Sequence, residues 1–309
     1  MLLVTTSRSV LLVDPVTGEG LRIDSGRGIY YGIAEYHGRI CIAARHRAAD
    51  STVPMTDADG EILIFSQRLE PTESIRAPFP LRDMHQILAH DNRLWVTCTF
   101  DNMIAVYDGA HWEKWFPLRS SRDQPGDVNH LNSLAIVEGQ LCVLANNHGP
   151  SQILTFTLPE RLPRGSLFLG NRAHNVWKRQ GAWMTFSSGE GRIAGSDGFS
   201  LEVGGFPRGI AHAEGFIYVG LSDFKERSLR DSSNARIAIF DGQWNWLASL
   251  MLKGEGMVLD IWPLITTPKV LSPRAQAVAF DVWKPIGSES LGAKTPLVSG
   301  RSTSLRQIR

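Results

Sequence analysis

Arg82–Asp108, RDMHQILAHDNRLWVTCTFDNMIAVYD, is the stretch from which the rest of the chain can be read. Turn residues divide it into three short segments, Met84–His90, Arg93–Thr99 and Met103–Tyr107, and the second alternates apolar and polar side chains with the period of two expected of a strand. The turn-plus-strand core Asp91-Asn92-Arg93-Leu94-Trp95-Val96 returns as His37-Gly38-Arg39-Ile40-Cys41-Ile42 and Glu138-Gly139-Gln140-Leu141-Cys142-Val143. It returns again as Gln180-Gly181-Ala182-Trp183-Met184-Thr185 and Glu214-Gly215-Phe216-Ile217-Tyr218-Val219. Each copy is preceded by a short strand (YYGIAEY, MHQILAH, LNSLAIV, HNVWK, PRGIAHA), and third strands such as GEILIFS, MIAVYDG and RIAIFDG follow. Asp108, Asp197 and Asp241, which close third strands, are read as Asx turns without chemistry.

A repeat of roughly 35–55 residues that yields one small sheet per unit is the signature of a β-propeller. The N-terminus begins directly at a second strand, Leu2–Thr5, and continues through Val10–Val13 and Leu21–Ile23. The missing first strand reappears in Gly256–Leu264. The expected fold is all-β, a six-bladed propeller whose last blade is closed by both termini, which leaves no open sheet edge there. Residues 1–264 form this domain, and residues 265–309 a partly flexible tail in which Ala275–Trp283 can add a strand on the outside.

Of the 309 residues 43% are apolar and 20% charged, and the formal charge is +1. That balance argues against a nucleic-acid surface or a polybasic membrane surface. Thr5, Ser7, Arg8 and Ser9 interrupt the apolar start, so no signal peptide is expected and the expected location is cytoplasmic. Cys41, Cys98 and Cys142 lie in second strands of different units, without zinc spacing, and read as small buried hydrophobes.

In a propeller the first strand of each blade lines the axis. Aligned with His85 stand Tyr31, Asn132, His174, Arg208 and Leu259. One residue further come Gly32, Gln86, Ser133, Asn175, Gly209 and Asp260, and the next position is apolar in every unit, from Ile33 to Ile261. Asp83 and His130 lie just before this ring, and the loops between second and third strands bring His148 and Arg227 to the same mouth. Axial polar residues often serve only to satisfy one another and trapped water. Several imidazoles converging with Asn and Asp nevertheless point to acid–base or metal chemistry. The expected acid–base residues are Asp83, His85, His130 and His174, and the expected substrate contacts are Tyr31, Asn132, Asn175, Arg208, His148 and Arg227. A divalent transition metal, if held, falls to His85, His174 and His130, with Asp83 or Asn132 orienting a ring. No P-loop, H-E-x-x-H or nucleophile-elbow motif occurs.

The strings DMHQILAHDNRLWVTCTFDNMIAVYD, HLNSLAIVEGQLCVL and RGIAHAEGFIYVGLSDFKERS resemble an uncharacterised bacterial group, the domain of unknown function 4915 family. Asp83 and His85 match its D-x-H strand, and His130, Leu131 and Asn132 its H-L-N-G-L-A strand. Gly220, Leu221 and Ser222 match its V-G-L-S loop, followed by Glu226 and Arg227. Ser133 replaces a glycine, Lys225-Glu226-Arg227 departs from the Arg-Glu order of the loop, and the Trp/Pro-rich segment survives only as Trp115-Phe116-Pro117. The resemblance, over Arg82 to Leu264, implies the fold and the site and names no reaction. Two functions are therefore expected of the mouth: a hydrolase, lyase or isomerase for a small polar or anionic metabolite, with or without a metal, or a non-catalytic propeller that binds a protein partner.

Overall fold

The computed structural model describes residues 1–122, 124, 126–265, 268, 270 and 274–284, with Arg227 described by its backbone alone. Within them the strands form six antiparallel sheets around one axis, so the chain is a six-bladed β-propeller. Blade 1 spans 30–75, blade 2 spans 84–115, blade 3 spans 131–171, blade 4 spans 174–202 and blade 5 spans 206–252. Blade 6 joins Val258–Pro263 to Leu2–Thr6, Ser9–Val13 and Glu19–Ser25, with Val4 paired between Leu11 and Ile261.

The recurrent turn that gave the repeat is a two-residue hairpin of one geometry. Its positions hold His37-Gly38, Asp91-Asn92, Glu138-Gly139, Gln180-Gly181 and Glu214-Gly215, all with positive φ. Two consecutive left-handed residues make a type I′ turn, whose twist matches that of the strands it joins. Asn replaces Gly at Asn92 because its short amide tolerates that conformation. The expected Asx turns are also present: Asp108 Oδ1 accepts the amides of Ala110 and His111 at 2.9 and 2.7 Å, and Asp241 Oδ1 those of Gln243 and Asn245 at 2.8 and 2.9 Å.

Each second strand is covered on both faces by neighbouring blades, and its side chains are nearly all buried. The core is accordingly divided into layers, one per blade interface. Leu3, Leu12, Ile33 and Ile42 fill the seam between blades 6 and 1, whereas Leu2, Val4, Leu11 and Ile237 fill the seam between blades 5 and 6. Trp95, Ile104, Val143 and Phe156 fill the seam between blades 2 and 3. Cys41, Cys98 and Cys142 are buried free thiols within these layers, and burial pushes Cys41 and Cys142 up to about 12.

The segment after the sixth blade's first strand returns to the outer rim. Gln276–Ala279 adds a fifth strand to blade 6 beside Glu19–Arg22, and Asp281–Trp283 adds one to blade 5 beside Ser249–Met251. The flexible tail expected beyond Lys284 lies outside the described residues. Among the described residues no helix is long and apolar enough to cross a membrane.

Candidate functional site

The residues at the mouth are presented by a defect that every blade repeats. In blades 1 to 5 the register of the first strand against the second shifts at the ring: between Tyr31 and Ile33, Met84 and Ile87, Leu131 and Ser133, His174 and Val176, and Pro207 and Ile210. In blade 6 the shift falls opposite Leu259, between Thr5 and Thr6. A bulge bends the strand and re-aims the extra side chain. Here the extra residue is the ring residue itself or its immediate neighbour, as Gly32 follows Tyr31 and Asn175 follows His174, and Tyr31, His85, Asn132, His174, Arg208 and Leu259 line one constriction at the axis. Threonines of the second strand satisfy the freed backbone: Thr97 Oγ1 accepts the amides of His85 and Gln86 at 3.1 and 2.8 Å, and Thr185 Oγ1 donates to the Asn175 carbonyl at 2.7 Å.

The partners of the two ring imidazoles fix their tautomers. His85 Nδ1 lies 2.8 Å from both the Asp83 carbonyl and Thr99 Oγ1, and the Thr99 hydroxyl donates its own hydrogen to the Leu131 carbonyl at 2.9 Å. His174 Nδ1 lies 3.0 Å from Ser188 Oγ, which donates to the Pro207 carbonyl at 2.7 Å. In both rings Nδ1 therefore carries the hydrogen and Nε2 keeps its lone pair. His174 is 5% exposed and its Nε2 has no hydrogen-bond partner among the described residues. Burial, reinforced by the charges of Arg45 and Arg208 for His85 and of Arg208 for His174, holds both imidazoles well below the usual histidine range, so they are neutral bases at neutral pH. His130 stands edge-on to His85 with centroids 4.7 Å apart, and its Nδ1 lies 2.6 Å from Asp127 Oδ2. Burial lowers His130 too, partly offset by Asp127.

Two guanidinium groups are buried beside these neutral rings. Arg45, 9% exposed, stacks over Tyr31 at 4.6 Å and forms a tight ion pair with Asp83. Arg208, 6% exposed, donates from Nη1 to the Tyr31 hydroxyl at 3.0 Å and packs over the Phe206 ring at 4.7 Å. Its Nε is buried without a partner, and no carboxylate pairs with it among the described residues. Burial raises the Tyr31 phenol, but the charges of Arg208 and Arg45 and the Arg208 hydrogen bond outweigh it and leave the phenol below its ordinary value.

One residue deeper, side chains tie each blade to the next. Gln86 Oε1 accepts the Leu134 amide at 2.7 Å, Ser133 Oγ the Asn175 amide at 2.9 Å, Asn175 Oδ1 the Gly209 amide at 2.9 Å and Asp260 Oδ2 the Ile33 amide at 2.9 Å. The two remaining junctions hold Gly32 and Gly209, where an added Cβ would lie 2.4 Å from the Ile87 nitrogen and 2.9 Å from the Asp260 Cα. Burial raises the Asp260 carboxyl to about 6, despite the amides of Ile33 and Ile261 that stabilise its anion. Its folded value lies above the unfolded one near ~4, so the folded protein binds the proton more tightly and stability rises as pH falls from about 6 to about 4. Against pH, the stability of Asp260→Asn minus that of the wild type should therefore be more favourable at pH 8 than at pH 4 by roughly 2 kcal/mol. Urea denaturation at both pH values measures this, and a pH-independent difference excludes it.

The structure thus brings Tyr31, His85, Asn132, His174 and Arg208 to one ring, with Asp83, His130 and His148 just above it. Asn132 Nδ2 is spent on the Ala173 carbonyl at 2.8 Å, and Asn175 has its Oδ1 engaged by the Gly209 amide. The ring-orienting role expected of Asp83 or Asn132 is performed differently: Asp127 holds His130, and Asp83 contributes its carbonyl to His85 while its carboxylate serves Arg45. His148 is at the exposed rim, its Nε2 2.8 Å from the Asp127 carbonyl. The Arg227 backbone begins a short 3-10 turn, and its side chain lies outside the described residues. For a metal, two sets bring three donor atoms within 4.8 Å among the described residues: Asp83, His85 and His130, and Asp127, His130 and His148. His174 belongs to neither set, because it stands across the ring in blade 4.

The loops between second and third strands were expected to bring Asn146 and Ser188 to the mouth; Arg45 and Thr99 were not anticipated, although all four share one alignment position, the residue after the second strand. That position abuts the first strand's bulge, and the common register was the available signal. Asp127 lies in an irregular loop with no counterpart in other blades.

The fold and this site define a class: a six-bladed propeller with an imidazole- and guanidinium-lined axial mouth. No family model and no curated protein matches the chain. Among solved structures, a protein of unknown function from Bacteroides caccae aligns at TM-score 0.59 and 11% identity, over 86% of this chain and 98% of that one. A chain of the nidogen/laminin complex aligns at TM-score 0.52 and 13% identity, over 84% and 96%. A virginiamycin B lyase from Staphylococcus aureus aligns at TM-score 0.47 and 15% identity, over 71% and 75%. At such identities the likeness concerns the fold alone.

Proposed function

We propose that the protein is an enzyme that takes a small anionic metabolite at the axial mouth and acts on it by acid–base chemistry. The observation that carries this reading is Arg208, a buried guanidinium without a carboxylate partner among the described residues, beside two neutral imidazoles whose Nε2 atoms make no hydrogen bond among the described residues. An unpaired cation in such a place is destabilising by several kcal/mol, and an anionic ligand offsets it. With the anion on Arg208, the Nε2 atoms of His85 and His174 accept a proton from the bound molecule, and the Tyr31 phenol donates or accepts one across the ring. Proton abstraction next to a carboxylate, leading to elimination or isomerisation, uses these groups in these states.

A metal-assisted reading is favoured by the donor sets. In the set with Asp83, a dication must displace Arg45 from its ion pair and sit among two guanidinium charges. Asp127, His130 and His148 at the rim carry no such opposition and are the residues that would hold a divalent ion, where it would supply Lewis-acid polarisation.

The test is an assay of the metal-free protein, and of the protein with zinc or manganese, against a panel of small carboxylates and phosphate esters followed by NMR. His85→Gln and His174→Gln are expected to lose activity by about 10²–10⁴-fold while stability changes by about 1 kcal/mol. His111→Gln, at an exposed loop, is the unaffected control. Activity present only with metal and lost in His130→Gln favours the second reading. If the wild-type protein binds no small anion, the mouth is a partner-binding surface and the proposal fails.

A further inference from the structure

The opposite end of the axis holds a separate cavity of about 220 Å³. Its walls are the apolar ring Ile33, Ile87, Leu134, Val176, Ile210 and Ile261, with Trp262 at one side and the solvent-exposed Glu35 also in the lining. Only a polar layer one residue thick separates it from the histidine ring, and Gln86, Asn175 and Asp260 of that layer line both spaces. These come from blades 2, 4 and 6. The alternate blades contribute Gly32, Ser133 and Gly209, which are too short to reach the axis. Three polar side chains thus form the floor of an apolar cup at threefold spacing.

What each floor group can still do is fixed by the bonds it already makes. The oxygens of Gln86 and Asn175 are taken by the amides of Leu134 and Gly209, so the amide oxygen and nitrogen positions are determined. The two NH₂ groups have no protein acceptor among the described residues, and each can donate. Asp260 already binds two backbone amides through its two oxygens, yet a carboxylate oxygen has a further lone pair to accept with. The floor therefore offers two donors and one acceptor. A hydroxyl group, with two lone pairs and one hydrogen, satisfies all three. An ammonium head would face the two donors, and a carboxylate head would face Asp260.

We propose that this cup is a binding site for a small neutral alcohol, its hydroxyl on Gln86, Asn175 and Asp260 and its hydrocarbon body against the isoleucine-rich wall. The volume is below the roughly 300–1,000 Å³ of sites for drug-sized ligands, which restricts the occupant to a small molecule. The site is distinct from the mouth and does not depend on the chemistry assigned there.

Benzyl alcohol, benzylamine and benzoate share one body and differ in the head, so they are the probes. Titration into the full chain at neutral pH, followed by NMR of the isoleucine methyl groups, is expected to show benzyl alcohol binding at least about tenfold more tightly than either ion. Gln86→Glu keeps the oxygen that accepts the Leu134 amide and converts the NH₂ donor into an acceptor. It is expected to weaken benzyl alcohol about tenfold and make benzylamine the preferred probe. His111→Gln, at an exposed loop away from both spaces, is expected to leave all three affinities unchanged. Equal binding of the three probes, no binding of benzyl alcohol, or an unchanged order in a folded Gln86→Glu protein overturns the assignment. Asn175→Asp, which keeps the acceptor for Gly209 in the same way, provides the second test should Gln86→Glu fail to fold.

Discussion

Arg208→Met should make the protein more stable and unable to hold an anion. The guanidinium is buried against Phe206, and its one described hydrogen bond is to the Tyr31 phenol. Replacing a buried, imperfectly compensated charge by an apolar side chain of similar length is often stabilising, by about 1–4 kcal/mol. Losing this cation as the counter-charge of a ligand costs about 2–5 kcal/mol of binding, a loss of about thirtyfold or more. Calorimetric titration with malonate and inorganic phosphate, beside urea denaturation, measures both. A spectroscopic signature separates this from a loss of packing: the charge of Arg208 lowers the Tyr31 phenol, so its ionisation should move to higher pH in the variant. A less stable variant that binds malonate as the wild type does would show Arg208 to be a structural residue.

The second large effect concerns how the ring is closed. Val4 is fully buried, paired to Leu11 on one side and to Ile261 from the far end of the chain on the other. Its side chain belongs to the layer between blades 5 and 6. Val4→Asp places a carboxylate there without a partner, a change in the class that destabilises by about 4 kcal/mol or more. Because this strand joins the two ends, the expected result is loss of the cooperative unfolding transition of the whole domain. The control Val16→Asp, in an exposed turn at 52% exposure, should leave stability within about 0.5 kcal/mol. A cooperative transition retained by Val4→Asp would mean that the other five blades stand without the closing strand.

The sequence determined the architecture because a propeller is written locally. Each hairpin needs two left-handed turn residues, and the pairs around Gly38, Asn92, Gly139, Gly181 and Gly215 are visible as such. A strand buried on both faces must be apolar almost throughout, and one such strand follows each turn. The circular closure was also legible, since Leu2–Thr5 reads as a second strand without a first and Gly256–Leu264 as a first strand without a second, and the two complete one blade. The ring Tyr31, His85, Asn132, His174 and Arg208 followed from register alone: equivalent positions in equivalent blades meet at the axis. Which partner each ring residue takes was decided only by the tertiary structure. Asp83 lies two residues from His85, but its carboxylate turns to Arg45, a residue of another blade; Asp127, from a loop outside the repeat, holds His130. Asp260 reads as one polar residue in an apolar strand, and only its enclosure by all six blades raises its carboxyl to about 6. Period and turn chemistry act over a few residues and survive in the linear sequence, whereas charge pairing and desolvation depend on distances between blades, which exist only once the ring has closed.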